Sequence, residues 1–229
     1  MPIEHVTLSV IIPALNEEQL LPLLLNELHT KKSIKTELIV VDGGSTDNTL
    51  EVIRYTADQI IHAKPGRAEQ MNAGAICAKG KLLWFLHADS SISFKFENII
   101  EAALHDHSWG WFDIHLNQPK RIFRIIESMM NIRSRVTSIA TGDQGIFVRK
   151  DVFLEIGLFP SIAIMEDIVF SKKIKRIGKP FISNARIKTS VRRWEDNGPV
   201  RTILKMWALR LLFFLRAPPN WLKKQYDQR

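Results

Sequence analysis

The sequence predicts an α/β fold, with a mostly parallel sheet flanked by helices in a single domain. Two observations carry this. Short apolar, β-branched runs alternate with helical patterns through the first half, an order that covers a parallel sheet with helices on both faces. Clusters of Asp, Asn, Gly and Ser close those runs, so polar groups gather at the carboxyl edge of the strands, where open α/β sheets bind ligands.

Residues 8–12 are apolar and end at Pro13, as a buried parallel strand does. Asn16, Glu17 and Glu18 open a helical pattern through residue 28. Residues 37–41 form a second strand, and a helix over 49–55 follows, capped by Thr46 or Asp47. A short third strand covers 59–62, and an alanine-rich helix over 67–78 stops at Gly80. The fourth strand runs over 81–86 and the next helix over 96–105. The second half is less regular. It reads as a strand over 109–116, a long helix over 121–138, a strand over 144–149 and a helix over 166–177 stopped by Gly178 and Pro180. One or two strands over 181–190 follow, then a final helix over 201–215 ended by Ala217, Pro218 and Pro219. With no repeat, low-complexity tract or linker, one domain over residues 1–229 is the economical reading.

Hydrophobic residues make up 45% and charged residues 24%, the balance of a soluble globular protein. The single cysteine, Cys77, excludes an internal disulfide, and no Cys/His metal framework is present. The amino end lacks a basic n-region, and no apolar run is long enough to span a bilayer, so a cytoplasmic protein is expected. A net charge of +8 points to an anionic partner such as nucleotide phosphates, nucleic acid or an acidic membrane surface. A solvated basic face would read the same way.

Four clusters could carry chemistry. Pro13, Ala14, Asn16 and Glu17 follow the first strand, and Asp42, Gly43, Gly44 and Ser45 follow the second, on the same sheet edge. The glycines let backbone amides approach a ligand, and Asp42 can accept hydrogen bonds from a base or ribose. Ordinary turn chemistry explains either cluster alone. Arg67 opens a helix, where the dipole favours an anion and a guanidinium fork suits phosphate; the alternative is an exposed residue paired with Glu69 or Glu51. His87, Ala88 and Asp89 end the fourth strand. An aspartate there can hold a divalent metal against a phosphate or cap the next helix. No G-x-G-x-x-G follows the first strand and no P-loop occurs, which argues against dinucleotide enzymes and P-loop ATPases.

In order and spacing, Ser9-Val-Ile-Ile-Pro-Ala-Leu-Asn16-Glu17, Val41-Asp42-Gly-Gly-Ser-Thr-Asp47, Asn72-Ala-Gly74 and Leu86-His-Ala-Asp89 resemble the successive motifs of family 2 glycosyltransferases. The resemblance implies a Rossmann-like sheet of GT-A type, with a nucleotide-sugar half over about residues 1–115 and an acceptor half over about 116–229. Pro13, Ala14, Asn16, Glu17, Asp42, Gly43, Ser45, Arg67, Asn72, His87 and Ala88 would border a UDP- or GDP-sugar. Asp89 would be the metal-facing aspartate of a D-x-D motif whose first position is here His87, either a second ligand to Mn²⁺ or Mg²⁺ or a shaper of the pocket.

Further on, Thr141-Gly-Asp-Gln-Gly145, Met165-Glu-Asp-Ile168 and Ser190-Val-Arg-Arg-Trp-Glu195 resemble a small bacterial subgroup, some of whose members are named arsenosugar-biosynthesis glycosyltransferases. The resemblance makes Asp167, beside Glu166, the catalytic base of an inverting transfer to a hydroxyl acceptor, small or lipid-linked. It puts Gly142, Asp143 and Gln144 on the acceptor side with Arg193 and Trp194. Arg193-Trp194 matches the end of a Q-x-x-R-W motif with Ser190 in place of Gln, which argues against a polymer-extruding synthase. Trp194 stacks on a sugar or packs in the core. The final helix is apolar on nearly every face and reads as a packed helix, with a peripheral contact at the inner membrane face as the alternative. No nucleic-acid partner is expected. Two other functions compete: a sugar-nucleotide pyrophosphorylase, whose Gly-rich basic loop after the first strand is missing, and a non-catalytic basic module.

Overall fold

The computed structural model describes residues 6–33 and 35–228. Strands β1 (Leu8–Ala14), β2 (Thr36–Asp42), β3 (Gln59–His62) and β4 (Leu82–Phe85) are parallel and lie in the order β3-β2-β1-β4. The two-residue edge strand β5 (Ser90–Ser91) comes next in the chain, then β6 (Trp109–Leu116), β7 (Phe147–Arg149) and β8 (Phe181–Thr189). The sheet continues from β4 as β7-β6-β8-β5. Within it β7 runs antiparallel to both neighbours, and β6 and β8 are parallel. The α/β architecture is thus as predicted, with one antiparallel strand at its centre.

Side chains alternate across the sheet because successive strand residues point to opposite faces. Leu8, Val10 and Ile12 of β1 enter one core with Leu38, Val40 and Trp84. That core is covered by α1 (Leu21–His29) and α2 (Thr49–Ile53) and, beyond α3 (Arg67–Cys77), by α4 (Phe96–Asp106). Ile11, Ile39, Val41, Leu83 and Phe85 enter the opposite core. There α3 packs so closely that a Cβ on Gly74 would sit 2.5 Å from Ile11 and 2.9 Å from Val41. The glycine in Asn72-Ala-Gly74 therefore serves helix–sheet contact. The long α5 (Arg121–Thr137) lies beside β6, and α6 (Lys150–Glu155) and α7 (Glu166–Ile174) complete the second core. The chain ends in α8 (Arg192–Asn197), α9 (Pro199–Phe214) and α10 (Pro219–Asp227).

Several boundaries differ from the sequence expectation for physical reasons. The first helix starts at Leu21, with Pro22 in its first turn, a position that suits a residue without an N–H. Residues 16–20 form a loop instead, because Asn16 takes a left-handed φ of 55° and spends its polar groups on the next loop. The strand expected over 144–149 is a 3₁₀ turn at Gly142–Gln144 followed by β7, as Thr141 and Gln144 cap each other and Gly145 turns left-handed. Pro219 opens a further helix. The last long helix is packed on one side only: Leu209, with Met206, Leu212 and Phe213, joins Met165 and Leu222, while Val200, Leu204, Trp207, Leu211 and Phe214 are exposed. No described helix is long and apolar enough to cross a membrane.

Candidate active site

The carboxyl ends of the parallel strands are level, with Ala14 beside Asp42 and Asp42 beside His62. Their loops are tied to one another. Asn16 donates its backbone N–H to Ser45 Oγ (3.0 Å) and accepts the Thr46 N–H on Oδ1 (2.8 Å). The Glu17 N–H reaches Thr49 Oγ1 at 2.8 Å, and Glu18 accepts from the Asn48 N–H at 3.0 Å. Asp42 is buried and accepts from the amides of Gly44 (2.9 Å) and Ser45 (3.1 Å). Burial pushes its pKa up, but those bonds and His62 outweigh it, so the carboxyl is held below its ordinary value. Asn16, Asp42 and Ser45 thus build the loop that a ligand would meet, and Pro13 and Ala14 form its floor at the end of β1.

Gln70 was not readable as a site residue, yet it organises this edge. From α3 its amide donates to the carbonyls of Ala14 and Val41, both at 2.8 Å. A Cβ on Gly43 would stand 3.0 Å from that amide, so the glycine admits Gln70. Asn72, assigned above to the nucleotide, is instead buried with both ends of its amide on Phe159: Nδ2 donates to the carbonyl (2.9 Å) and Oδ1 accepts the N–H (3.0 Å). It ties α3 to the loop before α7.

Arg67 begins α3 as predicted and lines a cavity of about 520 Å³. Burial lowers its pKa, but the fields of Glu166, Asp143, Asp167 and Asp89 prevail and raise it. Asp143, Glu166 and Asp167 line the cavity with Arg67, and Asp89 acts on the guanidinium from beyond β4. Asp89 follows β4, and the pairing of Ser90 with Thr189 holds it beside the end of β8. Asp143 sits on the 3₁₀ turn, where its Oδ1 lies 3.1 Å from His87 Nδ1. Glu166 and Asp167 open α7, aimed by Met165 at a left-handed φ of 69° that bulky residues rarely adopt. Asp167 accepts the Gly142 N–H at 2.9 Å and its neighbour Ile168's N–H at 2.7 Å. Glu166 is buried; desolvation, then Asp167, push its pKa up to about 7 against Arg67 and His87. At neutral pH it is shared between charged and neutral forms.

Ala88 is buried between His87 and Asp89. The His87 ring lies against Gly142, where an added Cβ would come within 2.6 Å of Nε2, and that nitrogen is buried without a partner among the described residues. Nδ1 faces Asp143 and Nε2 is buried against Gly142, so Asp89 is the more open group of the two. Glu17 is close to it: burial raises the Glu17 carboxyl, Arg192 opposes at 3.4 Å, and Asp89 adds to the rise. Carboxylate oxygens of this kind suit Mg²⁺ or Mn²⁺. Among the described residues no three His, Cys, Asp or Glu side chains form a metal cage. A hard cation held partly by substrate phosphates needs only one or two carboxylates, so the donor set fits such an ion.

Beyond Asp167 the cavity wall becomes apolar, with Ile126, Met129, Met130, Ile203, Met206 and Trp207. Trp194 lines it while packing on the cluster around Phe123 and Val191, so it is at once core and wall. Gln144, placed above among sugar-binding groups, is fully buried and accepts from Ser134 Oγ (2.7 Å) and the Thr141 N–H (3.0 Å), so it holds the turn. Arg193 belongs to α8, but its side chain lies outside the described residues. Arg133 and Arg210, which the sequence did not single out, also line the cavity.

Known proteins share both sequence and fold with this chain. The model of "Glycosyl transferase family 2" matches residues 9–155. A dolichyl-phosphate beta-glucosyltransferase of Dictyostelium discoideum is 31% identical over 121 residues, 45% of this chain and 37% of that protein. A PGL/p-HBAD biosynthesis glycosyltransferase of Mycobacterium bovis is 40% identical over 91 residues, 37% of this chain and 36% of that protein. The matched stretch thus spans little more than a third of these relatives' length. Among solved structures, the mannosyltransferase PcManGT of Pyrobaculum calidifontis, in complex with GDP-Man and Mn²⁺, superposes with TM-score 0.70 at 20% identity. That match covers 100% of this chain and 66% of that one. S. aureus TarS in complex with UDP-GlcNAc gives TM-score 0.67 at 20% identity, covering 81% and 59%. The family match takes in the loops after β1, β2 and β4 that build the carboxylate-lined edge, and the chain belongs to glycosyl transferase family 2.

Proposed function

We propose that the chain transfers a sugar, with inversion, from a UDP- or GDP-sugar to a hydroxyl acceptor. One observation carries this reading: Arg67, Asp143, Glu166 and Asp167 line one cavity, and the field of Asp89, which follows β4, reaches Arg67 as well. The nucleotide would lie along the Pro13–Glu17 and Asp42–Ser45 loops, with its diphosphate toward Arg67 and Asp89. The neighbours with UDP-GlcNAc or GDP-Man and Mn²⁺ support this donor class and a divalent cation.

Asp167, half-buried at the cavity wall, is the base of this reading. It takes the acceptor's hydroxyl proton as that oxygen bonds to the anomeric carbon from the face opposite the diphosphate. The anomeric carbon–oxygen bond to the diphosphate breaks, and its electron pair leaves with the phosphate. Arg67 faces the charge gathering there. A cation held by Asp89 would neutralise part of the same charge when bound. Glu166 keeps a second titrating carboxyl next to the base.

In a thermal-shift titration, UDP- or GDP-sugars should raise the melting temperature, more so with Mn²⁺. Asp167→Asn should keep that shift while donor turnover falls by about a hundredfold or more. Full turnover in Asp167→Asn would remove Asp167 as the base, and no stabilisation by any nucleotide sugar would sink the whole reading.

A further inference from the structure

Independently of which hydroxyl accepts the sugar, we propose that the face built by α9, with α5 and α10 beside it, docks the protein on the surface of an anionic lipid bilayer without spanning it. Three observations meet here.

The first is an outward apolar stripe. Val200, Leu204, Trp207, Leu211 and Phe214 recur at i, i+4, i+7, i+11 and i+14 along α9. All are exposed, from 57% for Trp207 to 73% for Phe214. The other side of the helix is spent on packing, through Leu209 against Met165 and Leu222. Trp207 shares the cavity wall with Met129 of α5. That helix carries a second exposed stripe, Ile125, Met129, Ile132 and Val136, again at helical spacing. On the other flank, Trp221 of α10 lines a surface groove together with Leu204. Single exposed apolar side chains are ordinary, whereas stripes joined across neighbouring helices mark an interaction surface.

The second is charge. From residue 168 to the end the sequence has 16 lysines and arginines against 3 acidic residues, whereas residues 1–167 have 16 against 21. The last part thus carries a formal charge of +13 and the rest −5. Residues 199–226 hold six of those cations and no carboxylate. The excess reaches the stripe itself. Lys172 of α7 stands over the Phe214 ring, 5.9 Å from its centre, and Arg201 and Lys205 line the groove with Leu204 and Trp221. Cations beside an apolar helix face, with tryptophans at its border, match headgroup phosphates above an acyl boundary.

The third is how poorly other occupants fit. No described helix is long and apolar enough to cross the bilayer. A second copy meeting this face about a two-fold axis would press two basic surfaces together, at a like-charge cost. A nucleic acid would match the cations and leave the leucines and Phe214 in water. An anionic bilayer answers both halves of the face: acyl chains take the stripe, and phosphates take the lysines and arginines.

The test uses the full chain, flotation on phosphatidylcholine vesicles with and without phosphatidylglycerol, and quenching of tryptophan fluorescence by lipids brominated in the acyl chain. The protein should bind the anionic vesicles at least about tenfold more tightly than the neutral ones, and should lose about tenfold as salt rises from about 0.1 M to about 1 M. Trp207 and Trp221 are the exposed tryptophans among the described residues, so brominated anionic vesicles should quench part of the emission, and less of it in Trp221→Phe. Leu204→Ser/Leu211→Ser should abolish flotation, and Arg201→Gln/Lys205→Gln should weaken it about tenfold, with the melting temperature little changed in both. No flotation on either vesicle, equal flotation on both, or full flotation of a folded leucine variant overturns the docking face. Flotation without quenching confines the contact to headgroups and overturns the part given to the stripe. A dimer in sedimentation velocity that the leucine variant dissolves, with no flotation, assigns the face to a second copy. Retention of DNA in place of vesicles assigns it to nucleic acid; either result overturns the bilayer.

Discussion

The two ends of the cleft spend their polar groups differently. At the edge formed by the loops after β1 and β2 the groups satisfy one another: Asn16 with Ser45 and Thr46, Glu18 with Asn48, Asp42 with Gly44 and Ser45. At the other end, burial and Asp167 push Glu166 up to about 7, and the half-buried Arg133 and Arg210 have no carboxylate within ion-pair distance among the described residues. A folded chain keeps unmatched buried polar groups at a cost. The first end is therefore a finished scaffold, insensitive to what it binds. The second carries charges that its own described side chains leave unmatched.

Arg67 stands between the two ends, and its variant should have the largest effect in this comparison. Arg67→Met removes the cation facing Asp89, Asp143, Glu166 and Asp167. Donor turnover should fall by about a hundredfold in kcat/KM, since a charged group facing a leaving phosphate acts mainly in the transition state. The melting temperature should fall as well at neutral pH, because the carboxylates then face one another without a cation. A loss of less than about threefold would show that the carboxylates at the mouth do not face the reacting phosphate.

The next variant asks whether the nucleotide edge is the finished scaffold that its hydrogen bonds suggest. Gln70→Leu strands the Ala14 and Val41 carbonyls at the ends of β1 and β2. Two buried hydrogen bonds lost in this way cost about 2–3 kcal/mol, or a fall of roughly 4–10 °C in melting temperature for a chain of this size. Nucleotide-sugar binding should weaken with it, because the loops carried by those strands lose their anchor. An unchanged melting temperature would mean that the Asn16–Ser45 contacts hold the edge by themselves.

The same division explains what could be read from the residues alone. The carboxyl-edge clusters are local: each follows its strand within a few positions, so Asp42 and Asp89 could be placed from strand endings, and β6 was found at its observed bounds because Trp109–Leu116 is a continuous buried run. The antiparallel sense of β7 is set by how the chain returns across the sheet, which no local pattern records. Pro218 and Pro219 read as a stop, although Pro219 is in fact the start of α10. Arg133 and Arg210 are helix residues like any other until α5 and α9 bring them to one cavity. Gln70 and Asn72 lie within one turn of α3 on different faces, and only tertiary structure shows that both are spent on backbone groups.

The smallest effect concerns Glu166, and it tests whether the acceptor end is strained by its own charges. Burial and Asp167 raise this carboxyl from its ordinary range to about 7, with Arg67 and His87 opposing. The folded protein therefore holds a proton on Glu166 at pH values where the unfolded chain has released it. Between about pH 4.5 and 7 the folded state binds more protons, so stability from this group declines as pH rises through that window and stays lower above it. Glu166→Gln keeps a neutral side chain at every pH. At pH 8 the variant should be more stable than the unaltered protein by about 1–2 kcal/mol, a rise of roughly 2–6 °C. The advantage should fade toward pH 4.5, where the unaltered Glu166 is neutral too. A pH-independent difference would mean that the glutamine alters packing instead of charge. No difference at pH 8 would mean that Arg67 already compensates Glu166 fully, leaving the two arginines as the unmatched charges of this end. Donor turnover in the same variant separates two proton acceptors: if it falls as far as in Asp167→Asn, the base is the Glu166–Asp167 pair and not Asp167 alone.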